Sequence, residues 1–123
     1  MFDQVYGDNP STFTVHVSTP SADGSLHVRL GGEFDRDEAE PMVALVRAAI
    51  ERHTPAAVHV DASGLTFLDS GGIHALLRCR ESAVAAGASF SVRGVTPEVY
   101  RILDVTGLVA LFNVSENPSG APV

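Results

Sequence analysis

A single mixed α/β domain is predicted, with helices packed mainly on one face of a mostly parallel β-sheet. Three observations lead there. Strand-like alternation opens the chain, and helical periodicity then alternates with further strands in the order β-β-α-β-α-β-α. Several strands alternate apolar with polar residues instead of running continuously apolar, which leaves one sheet face poorly covered. Finally, 123 residues are enough for one core and too few for two ordinary domains.

Residues 1–11, rich in Gly, Asp, Asn and Pro, read as a loose lead-in to a domain spanning 12–114. Thr12 to Val17 alternates, with Phe13, Val15 and Val17 on one face. Ser18 to Gly24 is a turn and Ser25 to Leu30 alternates again, so the pair forms a hairpin. The first helix places Val43, Val46, Ala49 and Ile50 on one face, with Arg47, Glu51 and Arg52 away from it. Proline is comfortable only among the first few helical positions. Pro41 therefore sets the cap near Asp37 or Glu38 and leaves Asp35 in the preceding loop. Ala56 to Asp61 is the third strand, with Val58 and Val60 inward and His59 outward. A second helix runs from about Ser70 to Ala86, with Ile73, Leu76, Leu77 and Val84 inward and Gly87 as its stop. Ala88 to Arg93 is the fourth strand. Thr96-Pro97-Glu98 caps a third helix that carries Val99, Ile102 and Leu103 and ends at Gly107. A short fifth strand is expected near Leu111 to Val114, followed by a flexible tail over 115–123.

Composition removes whole classes of function. An apolar fraction of 45% with 19% charged residues describes a soluble globular domain. No apolar run approaches a membrane span, and no charged start precedes an apolar signal region, so a cytoplasmic protein is expected. The net charge of -7 argues against nucleic-acid binding. All 8 basic residues are arginines, so lysine-dependent phosphate-loop, Schiff-base and phospho-aspartate receiver chemistry is absent. The single Cys79 reads as a buried structural thiol in a reducing compartment. The five histidines lack metal-ligand spacing and mostly alternate onto the exposed strand face, so neither a metal nor a cofactor is expected.

The chemistry-bearing stretch is Thr66-Phe67-Leu68-Asp69-Ser70-Gly71-Gly72-Ile73, between a buried-looking run and the second helix. Asp69 or Ser70 occupies the helix N-cap. Ser70 is thus either a cap or a hydroxyl placed to carry a phosphate, which the helix N-terminus would tolerate. Two glycines opening a helix are destabilising by up to about 1 kcal/mol each. They imply either unusual backbone geometry or close approach by a partner. Asp35 lies at the same sheet end if both loops follow parallel strand ends, as a recognition residue, a repeller of phosphate or a solvated loop carboxylate. Asp-Ser-Gly-Gly also resembles the nucleophile loop of trypsin-like proteases. Those need a double β-barrel about twice this size, with a histidine and an aspartate earlier in the chain. An α/β-hydrolase elbow needs glycine where Leu68 stands. No enzymatic activity is expected.

Gly32-Glu33-Phe34-Asp35, Val58 to Asp61, Leu65 to Ile73 and Val95 through Leu108, in order over roughly residues 12 to 114, resemble the STAS-domain anti-sigma-factor antagonists. The resemblance implies a bacterial partner switch. The unphosphorylated protein binds an anti-sigma factor with serine-kinase activity and frees a sigma factor for transcription. Phosphorylation of Ser70 ends the interaction and a phosphatase restores it. Asp35 and Asp69 would flank the phosphoacceptor, and Gly71, Gly72 and Ile73 would form the contacting helix start. Many members carry a second serine where this chain has Gly71. The alternative is a STAS scaffold or small-molecule-sensing domain that is never phosphorylated. The poorly covered sheet face also admits a homodimer.

Overall fold

The expected hairpin turns on one carboxylate. Asp23 accepts the Ser21 hydroxyl at 2.6 Å and the Ser25 N–H at 3.0 Å, and these bonds hold its pKa down at about 2. The computed structural model describes residues 4–6, 13–34 and 39–116. In chain order the elements are β1 (Gln4–Tyr6), β2 (Phe13–Val17), β3 (Ser25–Phe34), α1 (Ala39–His53), β4 (Ala57–Leu68), α2 (Ser70–Ala85), β5 (Ser89–Arg93) and α3 (Pro97–Val105). The strands form one sheet in the order β1-β2-β3-β4-β5. The first two pairings are antiparallel and the last two parallel.

Side-chain alternation divides the sheet as the sequence predicts. Phe13, Val15 and Val17, then Leu26, Val28 and Leu30, then Val58 and Val60, then Phe90 and Val92 are all buried, while the residues between them face outward or lie half-buried. The helices α1 and α2 pack against each other, with Met42, Val43, Val46, Ala49 and Ile50 buried on one and Gly72, Ala75, Leu76, Cys79 and Ala83 on the other. Met42 Sδ lies 3.4 Å from Cys79 Sγ, and a Glu40–Arg78 ion pair closes the rim of this contact. The helix α3 starts as predicted, with the Thr96 side chain accepting the Val99 N–H at 3.3 Å and Pro97 in the first turn.

Several expectations need correction. The lead-in contains β1, which pairs with β2. β3 continues past Leu30 to Phe34, and β4 continues past Asp61 to Leu68. Their pairing shifts register between Arg29 and Gly31 and again between Gly32 and Glu33. A Cβ on Gly64 would stand 3.2 Å from the Leu30 carbonyl, so close backbone approach needs glycine there. These irregularities break the twofold period, and a reading by alternation stops where the period stops. Val84 is 51% exposed and does not face inward. Gly72, Leu76, Cys79 and Ala83 hold the buried stripe at helical spacing, which turns position 84 away. The stretch Leu111 to Val114 is a turn and not a strand. It still lies along β5, where Val92 donates to the Phe112 carbonyl and accepts from the Ser115 N–H, both at 3.0 Å. The proposed cap residues Asp37 and Glu38, together with Asp35 and residues 117–123 of the tail, lie outside the described residues.

Candidate functional site

β3 and β4 are parallel and end side by side, with Phe34 opposite Leu68. The Asp69 N–H then donates to the Phe34 carbonyl at 3.3 Å, so the chain stays on the sheet edge for one more residue before turning. Asp69 has extended backbone (φ -100, ψ -174) and its Oδ1 accepts the Gly72 N–H at 2.9 Å. Asp69 is therefore the N-cap, and the choice between it and its neighbour is resolved. Ser70 becomes the first helical residue, exposed, and its hydroxyl makes no hydrogen bond among the described residues. The first-turn N–H groups next to it have no acceptor within the helix. An anion on the Ser70 oxygen would meet those donors and the positive end of the helix dipole.

The two glycines have ordinary helical backbone, since neither has a positive φ. For Gly72 the reason is packing. It is buried, and a Cβ there would lie 2.6 Å from Leu68 Cδ1 and 3.0 Å from Phe34 Cγ. This glycine lets the helix start settle onto the two strand ends, a packing reason that the sequence alone does not supply. Gly71 and Ile73 are half-buried.

Around Ser70 the structure adds residues that sequence reasoning passed over. Phe67 is 47% exposed at the end of β4, opposite the exposed Glu33 of β3. His74 is exposed one helical turn beyond Ser70. Aromatic side chains in strands are commonly buried. The burial pattern of β4 nevertheless places Leu65 and Leu68 inward with two outward residues between them, an arrangement that twofold alternation does not generate. Close in sequence at this turn are thus the exposed Phe67 ring, with Glu33 opposite it, the half-buried Asp69 cap and the exposed Ser70 hydroxyl. Among the described residues no histidine bonds the Ser70 oxygen. Burial pushes the Cys79 thiol up to about 12, as an inert core thiol requires. Among the described residues no group of three or more His, Cys, Asp or Glu side chains could hold a metal ion, and no helix is long and apolar enough to cross a membrane.

Comparison with known proteins gives this geometry its context. The family model described as "Mlab, STAS domain" matches residues 17–113. A STAS-domain containing protein of Pseudomonas aeruginosa is 36% identical over 101 residues, covering 80% of this chain and 97% of that protein. An anti-sigma F factor antagonist of Paenibacillus polymyxa is 30% identical over 98 residues, covering 80% of this chain and 84% of its own. Among solved structures, an anti-sigma factor antagonist from Mycobacterium paratuberculosis superposes with a TM-score of 0.74 at 25% identity, covering 90% of this chain and 92% of that one.

Proposed function

The chain belongs to the STAS-domain family, and from that premise we propose that it is an anti-sigma-factor antagonist acting as a phosphoserine switch. The single observation that carries the proposal is the exposed, unbonded Ser70 hydroxyl. Because Asp69 does the capping, Ser70 is free to be modified without loss of a structural bond. The partner is an anti-sigma factor with serine-kinase activity, and a phosphatase resets the site, both in the bacterial cytoplasm. Phe67, Asp69, Ser70, Gly71 and Ile73 form the docking surface, with Asp35 as a further partner-binding residue. The module binds and is modified; it does not itself catalyse.

Electrostatics make such a switch effective without a change of fold. A phosphate adds about -1.5 to -2 charges at neutral pH. Against one acidic group of the partner about 5 Å away, at an effective dielectric near 20, each added charge contributes roughly 3 kcal/mol of repulsion. That is about two orders of magnitude in affinity. Within the protein, the helix N-terminus offsets the repulsion from Asp69, so the folded state persists.

The test is calorimetry with the cognate anti-sigma factor, together with intact-mass measurement after incubation with that kinase and ATP. Ser70→Ala should bind as tightly as the unmodified protein and take up no phosphate. Ser70→Asp should bind about 100-fold more weakly. Phe67→Ala should lose about 2 kcal/mol of binding, as a central aromatic anchor does. Equal affinities for wild type and both Ser70 variants would refute the switch, and absence of a phosphate mass shift would favour a STAS domain that senses small molecules.

A further inference from the structure

The basic side chains of α2 are His74, Arg78 and Arg80. Arg78 is paired with Glu40 of α1, and Arg80 Nε donates to the Leu111 carbonyl at 3.2 Å. His74 is exposed and makes no hydrogen bond or ion pair among the described residues. Neither the core nor the helix cap uses it.

Helix geometry puts this ring beside Ser70. The two residues are four positions apart, so they share one face of α2 with Cβ atoms about 5–6 Å apart. Each Cα–Cβ bond in a helix tilts toward the N-terminus, so a side chain at 74 leans over the turn that Ser70 opens. Gly71 and Gly72 have no side chains to stand between them, and Ile73 packs against the core. An acidic group four residues before a basic one is also the favourable order for a helical pair. The first turn of α2 holds no acidic residue, and the Asp69 carboxylate at the cap is engaged by the Gly72 N–H. On this face, then, an uncommitted imidazole stands one turn from an uncommitted hydroxyl.

The charges around His74 leave it available. On α1 the Glu40 carboxylate is held below the usual carboxylate range first by the Arg78 hydrogen bond and charge, with Arg47 and then His74 adding to them. Glu40 is therefore committed to Arg78, which stands one turn further along α2. A phosphate on Ser70 would be the group for which His74 has no competing cation of its own helix.

We propose that His74 holds the phosphate of phospho-Ser70, its imidazolium pairing with the phosphate oxygens across one helical turn. This pairing rests on the phosphoserine reading and says how the mark is held once it is made. A phosphate brings about -1.5 to -2 charges at neutral pH, where an unperturbed imidazole is mostly neutral. A dianion about 5 Å away through water favours the imidazolium by about tenfold. Phosphorylation thus draws a proton onto the ring, and the charge added at the helix start falls to about one negative unit. The phosphate is fixed along α2 instead of turning freely. His74 is a positioning residue of the modified state and is idle in the unmodified one.

The test introduces phosphoserine at position 70 of the full chain by genetic encoding, which needs no kinase, and follows pH titrations by NMR. The midpoint of the His74 ring titration should lie about one pH unit higher in the phosphorylated chain than in the unmodified one. His27, on the far sheet face, should not move. The ³¹P midpoint of the phosphate should fall by a similar amount relative to a phosphoserine peptide, because the coupling is reciprocal. In His74→Gln that fall should vanish, and in His74→Arg, whose charge does not titrate, it should return. A merely structural role for this exposed position would not give that rescue. An unmoved His74 ring, an equal shift at His27, or a ³¹P midpoint indifferent to His74→Gln would overturn the proposal. Intact mass after incubation with the anti-sigma kinase and ATP separates the two readings. No phosphate uptake refutes the switch and with it this role, whereas uptake with an unmoved ring refutes the role of His74 alone.

Discussion

Replacing Gly72 by alanine opposes two effects whose sizes are known separately. Alanine is the better helix former by about 1 kcal/mol, so at an open position the change would stabilise the protein. Here the new methyl carbon would stand 2.6 Å from Leu68 Cδ1 and 3.0 Å from Phe34 Cγ, where carbon contacts are ordinarily about 3.5–4.0 Å. Leu68 Cδ1 is the end of a flexible side chain and can rotate away. The Phe34 ring is stacked on Phe13 with centroids 4.5 Å apart and planes 13° from parallel, so it moves only by disturbing the sheet. Overpacking of this kind is destabilising by about 1–3 kcal/mol, and subtracting the propensity gain leaves a net loss of about 1 kcal/mol. For a domain of this size that lowers the melting temperature by about 3–5 °C. Urea and thermal unfolding of Gly72→Ala against wild type measure it. A double-mutant cycle with Leu68→Ala should show the clash relieved, with a favourable coupling of about 1 kcal/mol. A Gly72→Ala variant as stable as wild type, or more so, would refute the packing explanation for this glycine.

Three further outcomes are expected. Asp69→Ala should lose about 1 kcal/mol of stability in urea unfolding because the Gly72 N–H loses its acceptor. Asp69→Asn keeps an acceptor oxygen and should lose little, so a partner affinity that falls in the asparagine variant reports the charge and not the cap. The depressed pKa of His59 makes stability depend on pH in a definite direction. Above the unfolded value of 6.5 its contribution is fully present, and as pH falls through that value the unfolded chain takes up a proton that the folded chain resists, so stability declines. The decline between about pH 7.5 and about pH 5.5 should be smaller in His59→Gln than in wild type, as followed by urea midpoints. Cys79, buried and with its thiol pushed up to about 12, should resist a thiol reagent in the native protein and react promptly once unfolded. Rapid native labelling would show that the α1–α2 contact opens readily.

The parts of the fold legible in the sequence are those where one periodicity runs unbroken. Phe13-Val15-Val17, Val58-Val60 and the capped start of α3 have the predicted environments because each local signal agrees with its tertiary surroundings. The ends of β3 and β4 were not legible, because shifts in parallel pairing beyond Arg29 depend on a strand far away in sequence. The Ser70 site shows the opposite balance: its motif was plain, while the division of labour that makes Asp69 the cap depends on a backbone turn that spacing does not specify. The packing of Gly72 is illegible for a similar reason, since a missing side chain does not say which neighbour occupies its space.

The turn at 111–114, which replaces a predicted strand, has a consequence for how the molecule behaves in a crowded solution. Together with Ser115 it bonds both main-chain groups of Val92 and so occupies hydrogen-bonding positions on β5 that an unguarded edge would offer to another chain. The asparagine within it adds a bond from Nδ2 to the Phe90 carbonyl at 2.8 Å, and Phe112 packs edge-on to the Phe90 ring. An irregular segment can shield an edge without itself becoming the next edge, because its own outer groups lack the regular spacing a growing sheet requires. Shortening the chain before Phe112 would leave β5 open to intermolecular strand addition, so this segment acts as a guard against aggregation.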